Sequence, residues 1–145
     1  MRTFRLLVIS NETVENRLLH EAVARLANGR RAQVTVVAPA LNGRFRHRVS
    51  DNDAARHAAQ SRLDYCLDRL QERGVEAHGW VGDADPIVAI EDALRHDEAD
   101  ELLIATHPEG RSNWLAHDLV DRAAVRFGLP TAHLVATGDR ELAAA

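Results

Sequence analysis

Apolar residues fall along this chain in two alternating rhythms. Phe4 to Ile9 (FRLLVI), Val34 to Ala38 (VTVVA), Val75 to Val81 (VEAHGWV), Leu102 to Thr106 (LLIAT) and Thr131 to Ala136 (TAHLVA) are short, nearly unbroken runs. Runs of this length bounded by turn residues are expected of strands buried on both faces of a parallel sheet. Gly79 weakens the third of them. Between the runs, apolar residues recur at three- and four-residue intervals, the period of an amphipathic helix. Val14, Leu18, Leu19, Ala22, Val23 and Leu26 form one such stripe, with Thr13 as N-cap and Gly29 as stop. Ala55, Ala59, Leu63, Cys66, Leu67 and Leu70 form a second, ending at Gly74. Ile87, Ile90 and Leu94 form a third, with Asp85 as N-cap and Pro86 in its favoured first position. Leu119, Ala123 and Phe127 form the last, which stops at Gly128 and Pro130. Residues 40 to 52 read as a polar, Arg-rich loop, and the tail TGDRELAAA as frayed.

Strands alternating with helices predict a parallel sheet with helices on both faces. Right-handed crossovers leave few topologies, and a flavodoxin-like (Rossmann-like) doubly wound sheet of order 3-2-1-4-5 fits best. One α/β domain spans residues 1–136, with 137–145 as a C-terminal tail. In that order the ligand crevice opens between the first and fourth strands. It is lined by Ser10, Asn11, Ala38, Pro39, Gly82 and Asp83, and by the turn after strand four: Thr106, His107, Gly110, Arg111, Ser112 and Asn113.

Composition narrows the functional classes. The chain has 145 residues, 46% of them hydrophobic, enough to bury a real core. The net charge of -4 gives no global basic field, which disfavours nucleic acid. Every basic side chain apart from histidine is Arg. A single cysteine, Cys66, excludes an intrachain disulfide, and its place on an apolar helical stripe marks it as a buried, inert thiol. The apolar run in MRTFRLLVIS is too short for a signal peptide or a membrane span, so a cytoplasmic location is expected, with no membrane contact.

Several constellations suggest chemistry, each with a plainer reading beside it. His107 and His117, with Asp83 and Asp85, offer metal-ligand atoms, but no histidine pair has the spacing of a helical zinc site, and no metal is expected. Asp83 and Asp85 in GDADP suit a loop-to-helix cap better than acid chemistry. Ser112 lies near His107, yet no Gly-x-Ser-x-Gly elbow surrounds it. Arg44, Arg46 and Arg48 surround Phe45 in GRFRHRVS, which suits an anion or simply a solvated loop. Trp114, near the start of the last helix, reads as packing over the sheet edge.

Three segments, in this order and spacing, resemble the universal stress protein family. VGDADPIVAIEDAL is similar to the family's Gly-Asp-Pro followed by a helix. ADELLIATHPEGRS is similar to its Ala-Asp-Leu-Ile-Val-x-Gly-Thr-His-Gly-Arg-Ser, and GLPTAHLV to its Cys-Pro-Val-x-Val-Val ending. The resemblance covers almost the whole chain. It implies a two-fold dimer through the fifth strand, Thr131 to Ala136. ATP-binding members of the family carry Gly-x2-Gly-x9-Gly-[Ser/Thr] after strand four and an Asp at the end of strand one. Here Ala105 and Pro108 stand at the first two glycines, the final pair falls at Asp118-Leu119 or His117-Asp118, and Ser10 replaces the Asp. Pro108 removes a backbone donor. Asp118 is expected to cap the last helix and to fill the phosphate's place with its own carboxylate. ATP and AMP are therefore disfavoured and no cofactor is expected.

The resulting expectation is a non-enzymatic, stress-linked regulatory or ligand-sensing module, dimeric, with a protein partner or a small ligand. Two alternatives stay open: a nucleotide-binding member that uses a divergent loop at Gly110 to Asn113, and a small hydrolase working through Ser112 or Asp83.

Overall fold

A computed structural model describes residues 3–10, 17–39, 49–106 and 110–135. Five parallel strands, β1 (Phe4–Ser10), β2 (Ala32–Pro39), β3 (Glu76–Gly82), β4 (Glu101–Thr106) and β5 (Thr131–Val135), form one sheet of order β3-β2-β1-β4-β5. Four helices join them: α1 (Arg17–Ala27), α2 (Val49–Glu72), α3 (Pro86–His96) and α4 (Gly110–Phe127). The doubly wound order expected from the apolar runs is the order found.

Alternation along the strands divides the core in two. Phe4, Leu6, Val8, Val34, Val36 and Leu103 pack with Leu19 and Val23 of α1 and Leu63 and Leu70 of α2. Leu7, Ile9, Val37, Leu102 and Ile104 face the other way, against Ile90 of α3 and Ala123 of α4. Cys66 is buried in the first cluster, as its helical stripe implied. Fully burying a side chain of this size contributes roughly 1.5–3 kcal/mol. The edge strands differ: every residue of β5 is half-buried, and β3 is buried only at Ala77.

Backbone contacts outside the regular ladders fix the strand starts. The Asp100 carboxylate accepts from the Arg5 amide at 2.8 Å, and the Asp100 amide donates to the Arg5 carbonyl at 2.8 Å. The Phe4 amide donates to the Arg31 carbonyl at 2.8 Å. At the start of α3, Asp85 accepts from the Ile87 amide at 2.9 Å, with Pro86 following it in the first turn, as GDADP predicted. Gly29 and Gly74, both at φ +83°, end the turns that follow α1 and α2.

Three expectations need correction or restriction. Residues 49–52 are helical, so α2 starts before the end of the loop expected at 40 to 52. β2 begins at Ala32, two residues before the expected Val34, and ends at Pro39, in register with Gly82. Proline is tolerated there because it is the last residue of the strand. The Thr13 cap, residues 40–48 with Arg44, Arg46 and Arg48, Ala136 and the tail at 137–145 lie outside the described residues.

Gly79, taken from sequence as a weakness, is a steric requirement. It faces Val36 in the β2–β3 ladder, and a Cβ there would run into the Val36 carbonyl oxygen and stand 2.9 Å from its carbon. Backbone cannot yield as a flexible side chain can. Gly79→Ala is therefore expected to destabilise by roughly 1–3 kcal/mol, a Tm loss of several degrees. Differential scanning calorimetry that finds an unchanged Tm would refute the clash.

Candidate functional site

The C-terminal ends of the strands lie along one edge of the sheet, and the order reverses at β1. From there the chain winds outward through β2 and β3, then returns to β4 on the other side. In doubly wound sheets a ligand crevice is expected beyond the strand ends at such a switch point. Ser10 ends β1 and pairs in register with Ala105, the penultimate residue of β4. Pro39 pairs with Gly82 at the ends of β2 and β3, and Thr106 with Val135 at the ends of β4 and β5. The topology thus places Ser10, Pro39, Gly82, Asp83 and Thr106 at the same end of the sheet. Asn11 and His107 lie outside the described residues.

Local contacts say what these residues do. Ser10 is 9% exposed, a neutral hydroxyl where strand one ends. Ala105 is 1% exposed, its methyl part of the core beneath α1 and α2. A Cβ on Gly82 would lie 2.8 Å from Val37 Cγ1 and 3.3 Å from the Ala89 methyl, so packing of β3 under α3 accounts for this glycine. An Asp83 carboxylate oxygen accepts from the Asp85 amide at 2.8 Å, and Asp85 in turn accepts from Ile87. These two acids order the turn into α3, which is the capping reading of GDADP.

The largest correction concerns α4. It begins at Gly110, so Gly110, Arg111, Ser112 and Asn113 form its first turn and are not a loop. Asp118 stands eight residues further on, about 12 Å up the helix at 1.5 Å per residue. It is exposed and pairs with Arg122 one turn later, at 3.7 Å. Asp118 therefore does not cap the start of α4, where the expectation put its carboxylate in the phosphate's place. Asp121 lies further still from the start. Trp114 and His117 also fall within α4.

Three groups escaped the sequence reading. Asp100, within the family-like ADELLIA segment, anchors β4 to β1 through the Arg5 amide. On β3, period-two alternation puts His78 and Trp80 on one face. There His78 Nε2 lies 3.3 Å from Thr35 Oγ1 and 3.4 Å from Asp97 Oδ2, and the Trp80 ring meets His96 edge-on at 5.5 Å. The third is His20 of α1, whose Nδ1 is buried with no hydrogen-bond partner among the described residues. Burial, and then the charges of Arg73 and Arg69, push its pKa below the ordinary imidazole value, with Glu72 opposing them. Among the described residues, no group of three histidine, cysteine or acidic side chains could hold a metal ion.

A doubly wound α/β domain with its switch point between β1 and β4 is the class defined by this geometry, and three solved structures similar to it are universal stress proteins. A universal stress protein family protein from Burkholderia pseudomallei is similar with a TM-score of 0.68 at 20% identity, over 91% of this chain and 96% of that one. The universal stress protein from Archaeoglobus fulgidus is similar at 0.60 and 22% identity, over 90% and 92%. A universal stress protein family protein from Arabidopsis thaliana, solved with AMP bound, is similar at 0.59 and 12% identity, over 95% and 94%. The chain has the universal stress protein fold. No family model matches it, and no curated protein does.

The depressed His20 pKa sets a pH dependence. Above about pH 6.5 the imidazole is neutral in both folded and unfolded chains. As pH falls below that value, the unfolded chain takes up a proton that the folded chain still refuses, so stability falls with pH down to the folded pKa. Urea midpoints measured between pH 7.5 and 5 (roughly one unit either side of the unfolded value) are expected to drop more for wild type than for His20→Gln. Parallel curves for the two proteins would show that His20 is not held neutral.

Proposed function

We propose that this chain is a regulatory module of universal stress protein type that acts in the cytoplasm by contact or ligand sensing, without turnover, and holds ATP weakly at most. The observation that carries the reading is Ser10. It stands at the end of β1, buried against the switch point, where ATP-binding members of the family are characterised by an Asp. A serine hydroxyl lacks the charge of a carboxylate for holding the nucleotide's polar groups. Ala105 supports the same reading, because a core methyl stands where the family pattern has a glycine for close backbone approach. Asp83, an acid weighed for hydrolysis, is engaged in the turn before α3.

A second reading rests on the corrected start of α4. Gly110 to Asn113 open an 18-residue helix, and the free amides and dipole of a helix start favour an anion. A protein of this fold carries AMP in the Arabidopsis structure. In this reading AMP or ATP is held by the first turn of α4, with Arg111 and Ser112 as partners, in place of the family's glycine loop.

Calorimetry with ATP, ADP and AMP, each with and without magnesium, separates the two. The first reading expects a Kd no tighter than about 0.1 mM, equivalent to about -5.5 kcal/mol. Asp118→Ala is expected to gain nothing, since Asp118 lies well along the helix from its start. Micromolar binding by wild type, lost in Ser112→Ala, would replace the first reading with the second.

The edge strand β5 supplies the assembly. All five residues from Thr131 to Val135 are half-buried, and an uncovered edge invites pairing. We infer an isologous homodimer with β5 antiparallel to its two-fold mate. Multi-angle light scattering at high micromolar concentration is expected to give twice the chain's 16.0 kDa mass. A 16.0 kDa species there would rule the dimer out.

A further inference from the structure

The opposite end of the sheet carries a second concavity, far from the crevice. A cleft of about 550 Å³ opens between the end of α1 and the turn from α2 into β3. Its lining includes the apolar Val23, Ala27 and Val75, with Arg31 and Arg73 at its margin. Gly29 and Gly74 border it, and a Cβ on either would meet nothing within 4 Å, so the rim is open.

Glu21, Arg30, Arg31, Arg73 and Glu76 line it, three cations against two carboxylates, and their charges are unevenly committed. Arg30 is spent on the fold: it donates to the Leu26 and Ala27 carbonyls at 2.8 Å each and lies 4.2 Å over the Phe4 ring. Glu76 is engaged by Gln33 at 3.4 Å, and Glu72 by Arg69 at 2.7 Å. Arg31 and Arg73, by contrast, pair with no carboxylate among the described residues. The carbonyl ends of the two helices would repel an anion if bare, and those of Ala24, Leu26, Ala27, Leu70 and Gln71 accept hydrogen bonds. Asn28 and Arg30 donate to those of α1, and the amides of Arg73, Gly74 and Val75 to those of α2.

We propose that this cleft is a binding site for a small amphipathic carboxylate, with its hydrocarbon part on Val23, Ala27 and Val75 and its carboxylate at Arg31 and Arg73. The apolar floor stabilises the chain in proportion to the area it covers. The two guanidiniums supply charge-assisted bonds of the kind carboxylates take in pairs. His20 stands in the wall. Burial chiefly lowers its pKa, and the charges of Arg73 and Arg69 add to this against Glu72, the sign of charge that a carboxylate would meet there. The proposal is independent of whether the crevice binds a nucleotide.

The test is a titration of the full chain, followed by ¹H–¹⁵N NMR, with octanoate, 1-octanol and acetate as probes. Octanoate is expected to saturate with shifts at the Ala27, Ala32 and Val75 amides. It should bind at least about ten-fold tighter than either octanol or acetate. The double variant Arg31→Gln, Arg73→Gln should lose about ten-fold for octanoate and nothing for octanol. Ala24→Trp, at an exposed lining position of α1, should block both ligands while leaving the folded spectrum intact. The His20 titration midpoint should rise on octanoate binding, because a nearby anion favours imidazolium. Equal affinity for octanoate and octanol, an undiminished double variant, shifts confined to the crevice, or no saturation by about 5 mM would each overturn the site.

Discussion

The burial of β1 on both faces and both edges is the constraint on which the rest of the structure depends. From Phe4 to Ser10 only Arg5 is exposed. A strand so enclosed must satisfy its polar groups through its neighbours, since water is not there to do so. β2 and β4 do this along its length, in parallel registers that run from Phe4↔Ala32 to Ile9↔Val37 and from Leu6↔Glu101 to Ser10↔Ala105. At the open start, where no ladder partner remains, the Arg31 carbonyl and the two groups of Asp100 complete the pairing. Parallel neighbours on both sides demand crossovers, and right-handed crossovers in both directions put helices on both faces. The crevice follows from the same fact, because a central strand flanked by chain running two ways must have a switch point at its end.

This is why the architecture was legible in the sequence. FRLLVI and LLIAT are nearly all apolar because β1 and β4 have two cores to fill, and TAHLVA and VEAHGWV are mixed because β5 and β3 are edges. The Asp85–Pro86 helix start was legible for a different reason: capping is local, and both hydrogen-bond partners lie within the same few residues. Gly79 was misjudged because its reason is not local. Only the β2–β3 register reveals that Val36 occupies the space of its missing side chain.

The site was less legible, and α4 shows why. Its apolar stripe, Leu119, Ala123 and Phe127, is clear only in the second half, where the helix packs on the sheet. The first half, GRSNWLAHD, is polar and opens with glycine, so the strongest cap-like residue beside the visible stripe was Asp118. Propensity placed the helix start there, and the structure placed it two turns earlier. Asp118 instead holds an i,i+4 pair with Arg122, a contact worth a few tenths of a kcal/mol on an exposed helix surface. The consequence for function is specific. The case against tight ATP binding loses its electrostatic obstruction and rests on what β1 and β4 themselves carry, Ser10 and Ala105. Those two positions lie in strands, whose register is set by the core and not by a cap.

The crevice and the basal cleft occupy opposite ends of one rigid element. Arg30, on the cleft's rim, covers the ring of Phe4, where β1 begins, and Ser10, on the crevice's wall, is where β1 ends. Six residue steps at about 3.3 Å separate them, roughly 20 Å. Contiguity of this kind does not make a signalling path. Coupling needs an element with two arrangements that the two ligands favour unequally, and a strand locked on both edges and both faces has one. A ligand in the cleft would stabilise the whole domain by binding only its folded form, which raises the cost of unfolding without changing affinity at the crevice. β3 and β5 are half-exposed, and β5 adjoins β4. β4 is enclosed as β1 is, paired with β1 and β5 and buried from Leu102 to Ala105, so the register of Ala105 with Leu134 does not by itself carry occupancy of one end of the sheet to the β5 edge.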